Sequence, residues 1–529
     1  MHPVREGRQF RTNVGASVAF QLVSGGVAIW FVPYLIRYLG VGAYGLVPLA
    51  MSLVGYLSIF TVAVSGSVGR FLTIDLERDD ISSANRTFNT ALFGSLALAG
   101  LLLAPAVAAV GFGSPLLNSP PGMQQQARAL LLGVMIAFFI TNIGSSFLAP
   151  SFATRRFDLR SAADVIGILA RVGIVVALFS LLTPQLWQVG VAILGGQLLS
   201  LAASVWIFKE LTPGLRIRRS DVDRRLFRAM AGTGGWLLVN QTGTILFLGV
   251  DLVLVNVMVG ADATGYYAPV LQWSLLLRSI TSLVSGVLAP TIIGFYARGD
   301  TEGLVGLTKR AVKLLGLAIA LPIGLLCGLA PSLLQVWLGP SFVQLRPLVW
   351  LMIAPLSVNL AVLPVLSVNI AVNKMLWPGV VTLAMGIGNL ALAIWLAGSA
   401  GYGMYGVAIA GAIALTLKNA TFSPLYAARI LRAPPLAFVG AMVPALPAAA
   451  LVAGAAATIG ALVEIDNWAG LLFASLAAAV LYTPLVFLIG LSKDERRAVL
   501  RILFGEKTAL LRCPAGRPDS FHQDSAAKA

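Results

Sequence analysis

The chain has 529 residues, 58% of them hydrophobic and 11% charged, with a mean hydropathy of +0.88. Soluble domains run near 45–50% apolar and about 25% charged, so these values exclude a soluble globular enzyme and a disordered chain. The net charge of +16, from 37 Lys and Arg against 21 Asp and Glu, would suggest nucleic acid in a soluble protein, but here its position in the loops gives another account.

Apolar runs long enough to cross a bilayer, about 20 residues each, fall at about 13–38, 46–72, 87–112, 127–152, 162–182, 187–208, 232–258, 265–290, 308–338, 344–371, 377–398, 404–431, 436–461 and 467–491. The spacing predicts an all-α polytopic membrane protein of about fourteen helices with no appended soluble domain. The first run is too long for a signal-peptide core and lacks a small-residue cleavage pattern, so it counts as helix 1. The resulting plan is an N-tail (1–12), a six-helix lobe (13–208), a linker (209–231), a second six-helix lobe (232–431), two extra helices (436–491) and a tail (492–529).

Orientation follows from the basic residues, which concentrate in cytoplasmic loops. The segments on the side of the termini hold 31 of the 37 Lys and Arg, among them Arg155, Arg156, Arg216, Arg218, Arg219, Arg224, Arg225 and Arg228. The opposite loops hold none, and carry Asp262, Glu464 and Asp466. Both termini are therefore expected in the cytoplasm, and the positive charge reflects topology rather than nucleic-acid binding. Two tail-side segments, 220–230 and 492–504, interleave Arg with apolar residues and read as helices resting on anionic headgroups.

Shifting the chain by 220 residues superposes Gly40, Ala43 and Gly45 on Gly260, Ala263 and Gly265, then Thr61, Val64, Ser65 and Gly66 on Thr281, Val284, Ser285 and Gly286, then Arg78 and Asp80 on Arg298 and Asp300. Helices 1–6 and 7–12 thus read as two copies of one unit. Six is even, so both copies insert the same way, giving parallel repeats about an axis along the membrane normal. That architecture favours alternating access around a site between the halves; the competing reading is a duplication kept for packing.

Arg171, Arg278 and Lys418 fall near the middle of helices 5, 8 and 12. Each would cost about 2.5–3.5 kcal/mol facing lipid at the bilayer centre, so each is expected to face water or a partner. Asp164 shares a helix face with Arg171 but lies two turns away, too far for an ion pair. The surplus of cations suits an anionic ligand, and guanidinium binds phosphate oxygens bidentately; the alternative is that these side chains satisfy broken-helix carbonyls or snorkel. Arg70, at the cytoplasmic end of helix 2, reads either as a vestibule residue or as an interface anchor. Pro33, Pro322, Pro355 and Pro364 should kink helices 1, 9 and 10 and free carbonyls.

Both histidines, His2 and His522, lie in the terminal tails, and Cys327 and Cys513 are far apart. Neither metal ligation nor a structural disulfide is expected. Gly401-Tyr402-Gly403-Met404-Tyr405-Gly406 fits a dinucleotide fingerprint, but no strand precedes it, so it reads as a tight turn.

Tyr38-Leu39-Gly40 with Tyr44-Gly45-Leu46, Asp251 followed by Gly260 and Gly265-Tyr266, Ala297-Arg298-Gly299-Asp300, Trp337-Leu338-Gly339 with Phe342, and Tyr402-Gly403 with Gly406-Val407-Ala408 occur in an order and spacing that extend over about residues 10–495. This set resembles the polysaccharide-transport branch of the multidrug/oligosaccharidyl-lipid/polysaccharide exporter superfamily. The resemblance implies an inner-membrane flippase that moves polyprenyl-pyrophosphate-linked oligosaccharide, such as O-antigen or exopolysaccharide units for lipopolysaccharide or polysaccharide assembly, to the periplasmic leaflet. It implies a central cationic cavity, here with Arg171, Arg278, Lys418 and Arg70 as substrate-binding candidates. It also places Asp251, with Asn389, in a coupling-ion role for Na+ or H+; no second acid accompanies Asn389, which leaves the ion open. No cofactor is implied. The implied partners are the lipid-linked oligosaccharide, membrane lipids, and the polymerase and glycosyltransferases of the same pathway, not nucleic acid.

Two other functions compete. A cation-coupled multidrug exporter of the same superfamily would need cavity carboxylates, of which helix 1 has none. A membrane glycosyltransferase or polymerase would be expected to show paired catalytic carboxylates or a large outer loop, and the longest outer segment, about 113–126, has no acidic residue. The enzyme reading is therefore disfavoured.

Overall fold

The computed structural model describes residues 3–112, 118–233, 235–493 and 495–497. Both histidines, Cys513, most of the 492–504 segment and part of the 113–126 segment lie outside them. Thirteen helices are long and apolar enough to cross a membrane, and two more, bent by 45° at a short break, make a fourteenth span. No strand occurs among the described residues, so the all-α, polytopic reading holds.

The first half consists of α1 (Pro3–Leu39), α2 (Val41–Gly55), α3 (Ser58–Glu77), α4 (Ile81–Phe112), α5 (Gln124–Ala153), α6 (Phe157–Leu181) and α7 (Leu186–Leu211). After the connecting helix α8 (Arg224–Thr233) come α9 (Gly235–Leu248), α10 (Asp251–Met258), α11 (Ala261–Ala297), α12 (Thr301–Gly328), α13 (Ala330–Leu338), α14 (Arg346–Ile353), α15 (Leu356–Ala361), α16 (Leu363–Ala371), α17 (Leu376–Ile394), α18 (Gly403–Leu417) and α19 (Ser423–Ile430). The chain ends in α20 (Ala437–Met442), α21 (Ala445–Leu462) and α22 (Trp468–Leu485).

Duplicated residues adopt matching conformations. Gly40 and Gly260, one residue before α2 and α11, have φ of 83° and 127°. Asp79 and Gly299, again 220 apart, have φ of 54° and 73°. Each is followed by an aspartate that caps the next helix: Asp80 accepts from the Ser83 N–H at 2.9 Å, and Asp300 from the Gly303 N–H at 2.7 Å. For Asp80 this bond holds the carboxyl below the usual carboxylate range.

Without a hydrophobic force between helices in lipid, small residues bring backbones together. A Cβ on Gly133 would lie 2.8 Å from the Gly190 carbonyl, joining α5 to α7. One on Gly196 would lie 2.6 Å from the Gly167 carbonyl, joining α7 to α6. In the second half Gly324 of α12 meets the Ala449 carbonyl of α21 at 2.7 Å by the same measure. The connecting helix is fixed rather than loosely laid on a surface. Asn85 and Asn89 accept from the Arg216 and Arg218 N–H groups at 2.7 and 2.8 Å, and Phe227 packs over Gly94.

The halves meet at the end away from the basic loops, here the far end. A Cβ on Gly45 would lie 2.5 Å from the Gly265 nitrogen, so two residues equivalent in the repeat face each other. Asn118 and Asn256 exchange three bonds of 2.7–3.0 Å between side chain and backbone. The Trp337 Nε1 donates to the Ile29 carbonyl at 2.6 Å. Toward the basic end the described hydrogen bonds between the halves stop at mid-span, with Ser279 to Gln21 at 3.1 Å and Gln241 to Ser58 at 3.2 Å, and Val284 and Val287 of α11 are exposed. The bundle is closed at the far end and open at the basic end.

The predicted span 308–338 divides. With 28 residues, about 42 Å at 1.5 Å per residue, α12 crosses alone, and Ala330–Leu338 forms a separate helix at the far end. Pro322 is carried inside α12.

Because backbone and not side chain fills the far-end contact, Gly45→Val should wedge the halves apart. Thr264 is fully buried there. A Thr264→Cys probe should react several-fold faster with a membrane-impermeant maleimide in the Gly45→Val background than without it; equal rates would show that this contact does not close the far end.

Candidate functional site

Two cavities, one in each half, bring charged side chains of the spans together. The larger, about 500 Å3, lies toward the basic end among α3, α5, α6 and α7 and is lined by Arg70, Thr141, Ser145, Arg160, Asp164, Gln197 and Ser200, among others. Arg160 and Asp164 are four residues apart, hence on one face of α6. Arg70 is exposed and lines this cavity. The cavity stops where Gly167 and Gly196 bring α6 and α7 into backbone contact.

Arg171 lies past that contact and lines neither cavity. Its guanidinium sits 5.8 Å from the Phe31 ring centroid of α1, and its Nε is buried without a hydrogen-bond partner. The sequence grouped it with Arg278 because both lie mid-helix; the two stand in different halves, and the Gly167–Gly196 contact sets Arg171 apart from the larger cavity.

The smaller cavity, about 40 Å3, is lined by Asp251, Tyr267, Ser274, Arg278 and Asn359, with Phe247 and Pro355 among its apolar walls. The fully buried Tyr267 donates its hydroxyl to Asp251 Oδ2 at 3.1 Å. Arg278 donates from Nε to the Ser274 hydroxyl at 3.4 Å. Lys418 stays outside this lining and reaches it only through Phe247, with its Nζ 5.5 Å from that ring's centroid. It opens a π-helical turn, Lys418–Phe422, a distortion frequent at functional sites.

Asp251 is the first residue of α10, just past the break after α9. A break inside an apolar span frees carbonyls that need donors. The Asn389 side-chain amide donates to the Leu246 carbonyl at 3.1 Å, and the Tyr56 hydroxyl, from the other half, donates to the Gly249 carbonyl at 2.9 Å. Asn389 is therefore held at the break and is not part of the Asp251 cavity, although its Oδ1 is unpartnered.

The amide beside Asp251 is Asn359 instead. Its Nδ2 donates to the Thr416 hydroxyl at 3.1 Å, and its Oδ1 is buried and unpartnered. Sequence reasoning passed over it, although a polar residue between Pro355 and Pro364 in a kinked apolar run was an available signal. Arg160, Tyr267 and Gln197 were also missed, since none differs in the sequence from an ordinary interfacial or packed residue. No group of three or more His, Cys, Asp or Glu suited to a metal occurs among the described residues.

Two helical repeats closed at one end and polar cavities within the halves define a membrane transporter architecture. The fold is that of an inward-facing multidrug resistance MATE family transporter of the MOP superfamily (TM-score 0.57, 14% identity, over 82% of this chain and 98% of that one). It matches lipid II flippase MurJ in an inward closed conformation to the same degree (TM-score 0.57, 13% identity, 88% and 99%). A family profile described as polysaccharide biosynthesis protein matches residues 10–295. The chain is 35% identical over 493 residues to the uncharacterized membrane protein EpsK of Bacillus subtilis (strain 168), covering 93% of this chain and 98% of that protein. The chain belongs to the polysaccharide biosynthesis protein family.

The two asparagines should separate in behaviour. Asn389→Leu strands the Leu246 carbonyl, at a cost of about 1–3 kcal/mol, and should lower the melting midpoint of the detergent-solubilised protein. Asn359→Ala removes the unpartnered oxygen together with one bond to the Thr416 hydroxyl, a group free to rotate to another acceptor, and should melt closer to wild type. Equal shifts would remove the distinction between a structural and a ligand-facing amide.

Proposed function

We propose that the protein is a flippase that carries polyprenyl-pyrophosphate-linked oligosaccharide from the cytoplasmic to the periplasmic leaflet of a bacterial inner membrane, with both termini cytoplasmic. The observation that carries this reading is a bundle closed at the far end, with a large cavity toward its open, basic end bearing Arg70 and Arg160. A cytoplasm-facing entrance follows from the excess of Lys and Arg at that end.

The pyrophosphate head enters between the halves and meets the guanidinium groups, each able to bind phosphate oxygens through paired N–H donors. The polyprenyl tail stays in lipid. Separation of Gly45 from Gly265, and of Asn118 from Asn256, opens the far end for release. No bond is made or broken. Outward movement of a dianionic head is helped by an inside-negative potential, about 2.3 kcal/mol per charge per 100 mV.

The Asp251 cavity suits a proton as the coupling ion better than Na+, because its lining also carries the Arg278 guanidinium, which repels a metal cation. Around the carboxylate stand the Ser274 hydroxyl, already bonded by Arg278, and an amide oxygen without a protein partner, Asn359. Protonation of Asp251 would leave the Arg278 charge there without its counter-charge. The chain's own residues then set the coupling: Tyr267 orients the carboxylate, and the α9–α10 break ties it to the other half through Tyr56. A cationic drug is a poorer cargo for the larger cavity, where one carboxylate faces two guanidiniums.

Translocation of a fluorescent polyprenyl-pyrophosphate-linked glycan in proteoliposomes tests this. Loss of a charge-assisted bond is worth about 1.5–3 kcal/mol, so Arg70→Ala and Arg160→Ala should each slow transport about tenfold or more. Arg171→Ala, outside both cavities, should slow it less. Movement of cationic dyes with no movement of the lipid would overturn the reading.

A further inference from the structure

The larger cavity holds more polar functionality than a pyrophosphate uses. Its guanidiniums, Arg70 and Arg160, account for the phosphates. The rest of its polar wall divides by what each side chain already does. Thr141 donates to the Ala137 carbonyl at 2.8 Å, Ser145 to the Asn142 carbonyl at 2.6 Å, and Ser204 to the Ser200 carbonyl at 2.7 Å, so these hydroxyls are occupied within their own helices. Asp164, Gln197 and the Ser200 hydroxyl line the same cavity and have no hydrogen bond within the protein among the described residues. One comes from α6 and two from α7.

These three sit where Gly167 fixes the spacing of the two helices, since a Cβ there would lie 3.1 Å from the Ser200 Cβ. The set holds a carboxylate that accepts only, an amide that both donates and accepts, and a hydroxyl that does either. An anion alone would be repelled by Asp164 and has no use for acceptors. A ring bearing adjacent hydroxyls uses all three, because each hydroxyl donates one hydrogen bond and accepts others. At about 500 Å3 the cavity is within the roughly 300–1,000 Å3 of small-molecule sites, and Phe152 adds an aromatic wall at its edge.

We propose that Asp164, Gln197 and Ser200 form a sugar-recognising subsite, which holds the first monosaccharide of the lipid-linked glycan while Arg70 and Arg160 hold its pyrophosphate. This inference rests on the flippase reading and deepens it by naming the residues that select the glycan. Buried polar groups built to bond a hydroxyl reject a ligand that lacks it more strongly than apolar walls reject extra bulk. Selectivity should therefore reside in these side chains.

The test is native mass spectrometry of the purified full chain with polyprenyl pyrophosphate, bare or bearing glucose, galactose or N-acetylglucosamine. Wild type should bind at least one glycosylated carrier about tenfold more tightly than the bare one, the size expected for one to two satisfied hydrogen bonds to a charged acceptor. Asp164→Asn and Gln197→Ala should reduce that preference to within about twofold, and Ser200→Ala should reduce it less. Arg70→Ala should weaken bare and glycosylated carriers together and leave the ratio intact. The thermal midpoint of each variant serves as the folding control, with the isosteric Asp164→Asn as the change least able to disturb packing. A wild type that binds all carriers alike, or a preference unmoved by Asp164→Asn and Gln197→Ala, would overturn the sugar subsite while leaving the flippase reading in place. A wild type that binds no carrier would overturn both.

Discussion

The backbone contact between Gly45 and Gly265 is the constraint around which the molecule is arranged. The two residues occupy equivalent places in the repeat, so their meeting defines where the two copies come together. Because neither bears a side chain, α2 and α11 approach until main-chain atoms touch. The rest of the far end follows from that approach. It brings Asn118 within reach of the Asn256 backbone, and it leaves the opposite end of the bundle apart. A side chain at either glycine would move the closing point and with it the opening at the basic end.

The second half carries a distortion that the first does not match. Its opening span is broken between α9 and α10, and the break puts Asp251 at a helix start, where the exposed N–H groups and the dipole favour negative charge. The freed carbonyls are bonded from two directions, by Asn389 of the same half and Tyr56 of the other. The geometry of Asp251 is thus linked to the spacing of the halves: a movement that draws Tyr56 away also takes away one support of the break. Under the proposed coupling, the charge state at Asp251 and the conformation of the bundle would influence each other through this hydroxyl, in the reciprocal sense that linkage requires.

Much of this was legible in the sequence. Hydropathy located nearly every span because a lipid-facing helix has no way to hide polar residues. The 220-residue shift identified Gly40, Gly45, Asp80 and their partners because turns and caps place strict demands on residue type. The break in the seventh span lies at Gly249-Val250, where the only signal is one glycine, and a lone glycine in an apolar run is commonly carried inside a continuous helix. The site was legible only in part. Arg70 and Arg278 stood out because charge in an apolar run is conspicuous, but charge alone does not say which way a side chain points or which cavity it lines. Arg171 was placed with them for the same reason, and the close approach of Gly167 and Gly196, which puts it outside the cavity, depends on two helices that the sequence gives no means of docking. Gln197, neutral and ordinary in an apolar run, became visible only in a cavity wall, and Asn359, flanked by Pro355 and Pro364, gained meaning only once its Oδ1 was seen to lack a partner there.

The kind of bond that closes the far end matters for what the bundle can do. Those described there are uncharged hydrogen bonds and van der Waals contacts, with Asp262 set against Gly42 rather than against a cation. A neutral hydrogen bond contributes about 0.5–1.5 kcal/mol net, because water replaces it when it opens, so the exchange among Asn118 and Asn256 resists separation by only a few kcal/mol. A ligand shifts such a balance by the difference in its affinity for the two states and by no more. Two guanidiniums gripping a pyrophosphate can supply a difference of that size if they converge on it in one state and part in the other. They belong to the first half, on α3 and α6, whereas Arg278 belongs to the second. A head group held by the first half alone would bind both states equally. Only cargo whose glycan or tail also touches the second half gains from the halves moving, so coupling to the far end would rest on contacts beyond the two guanidiniums.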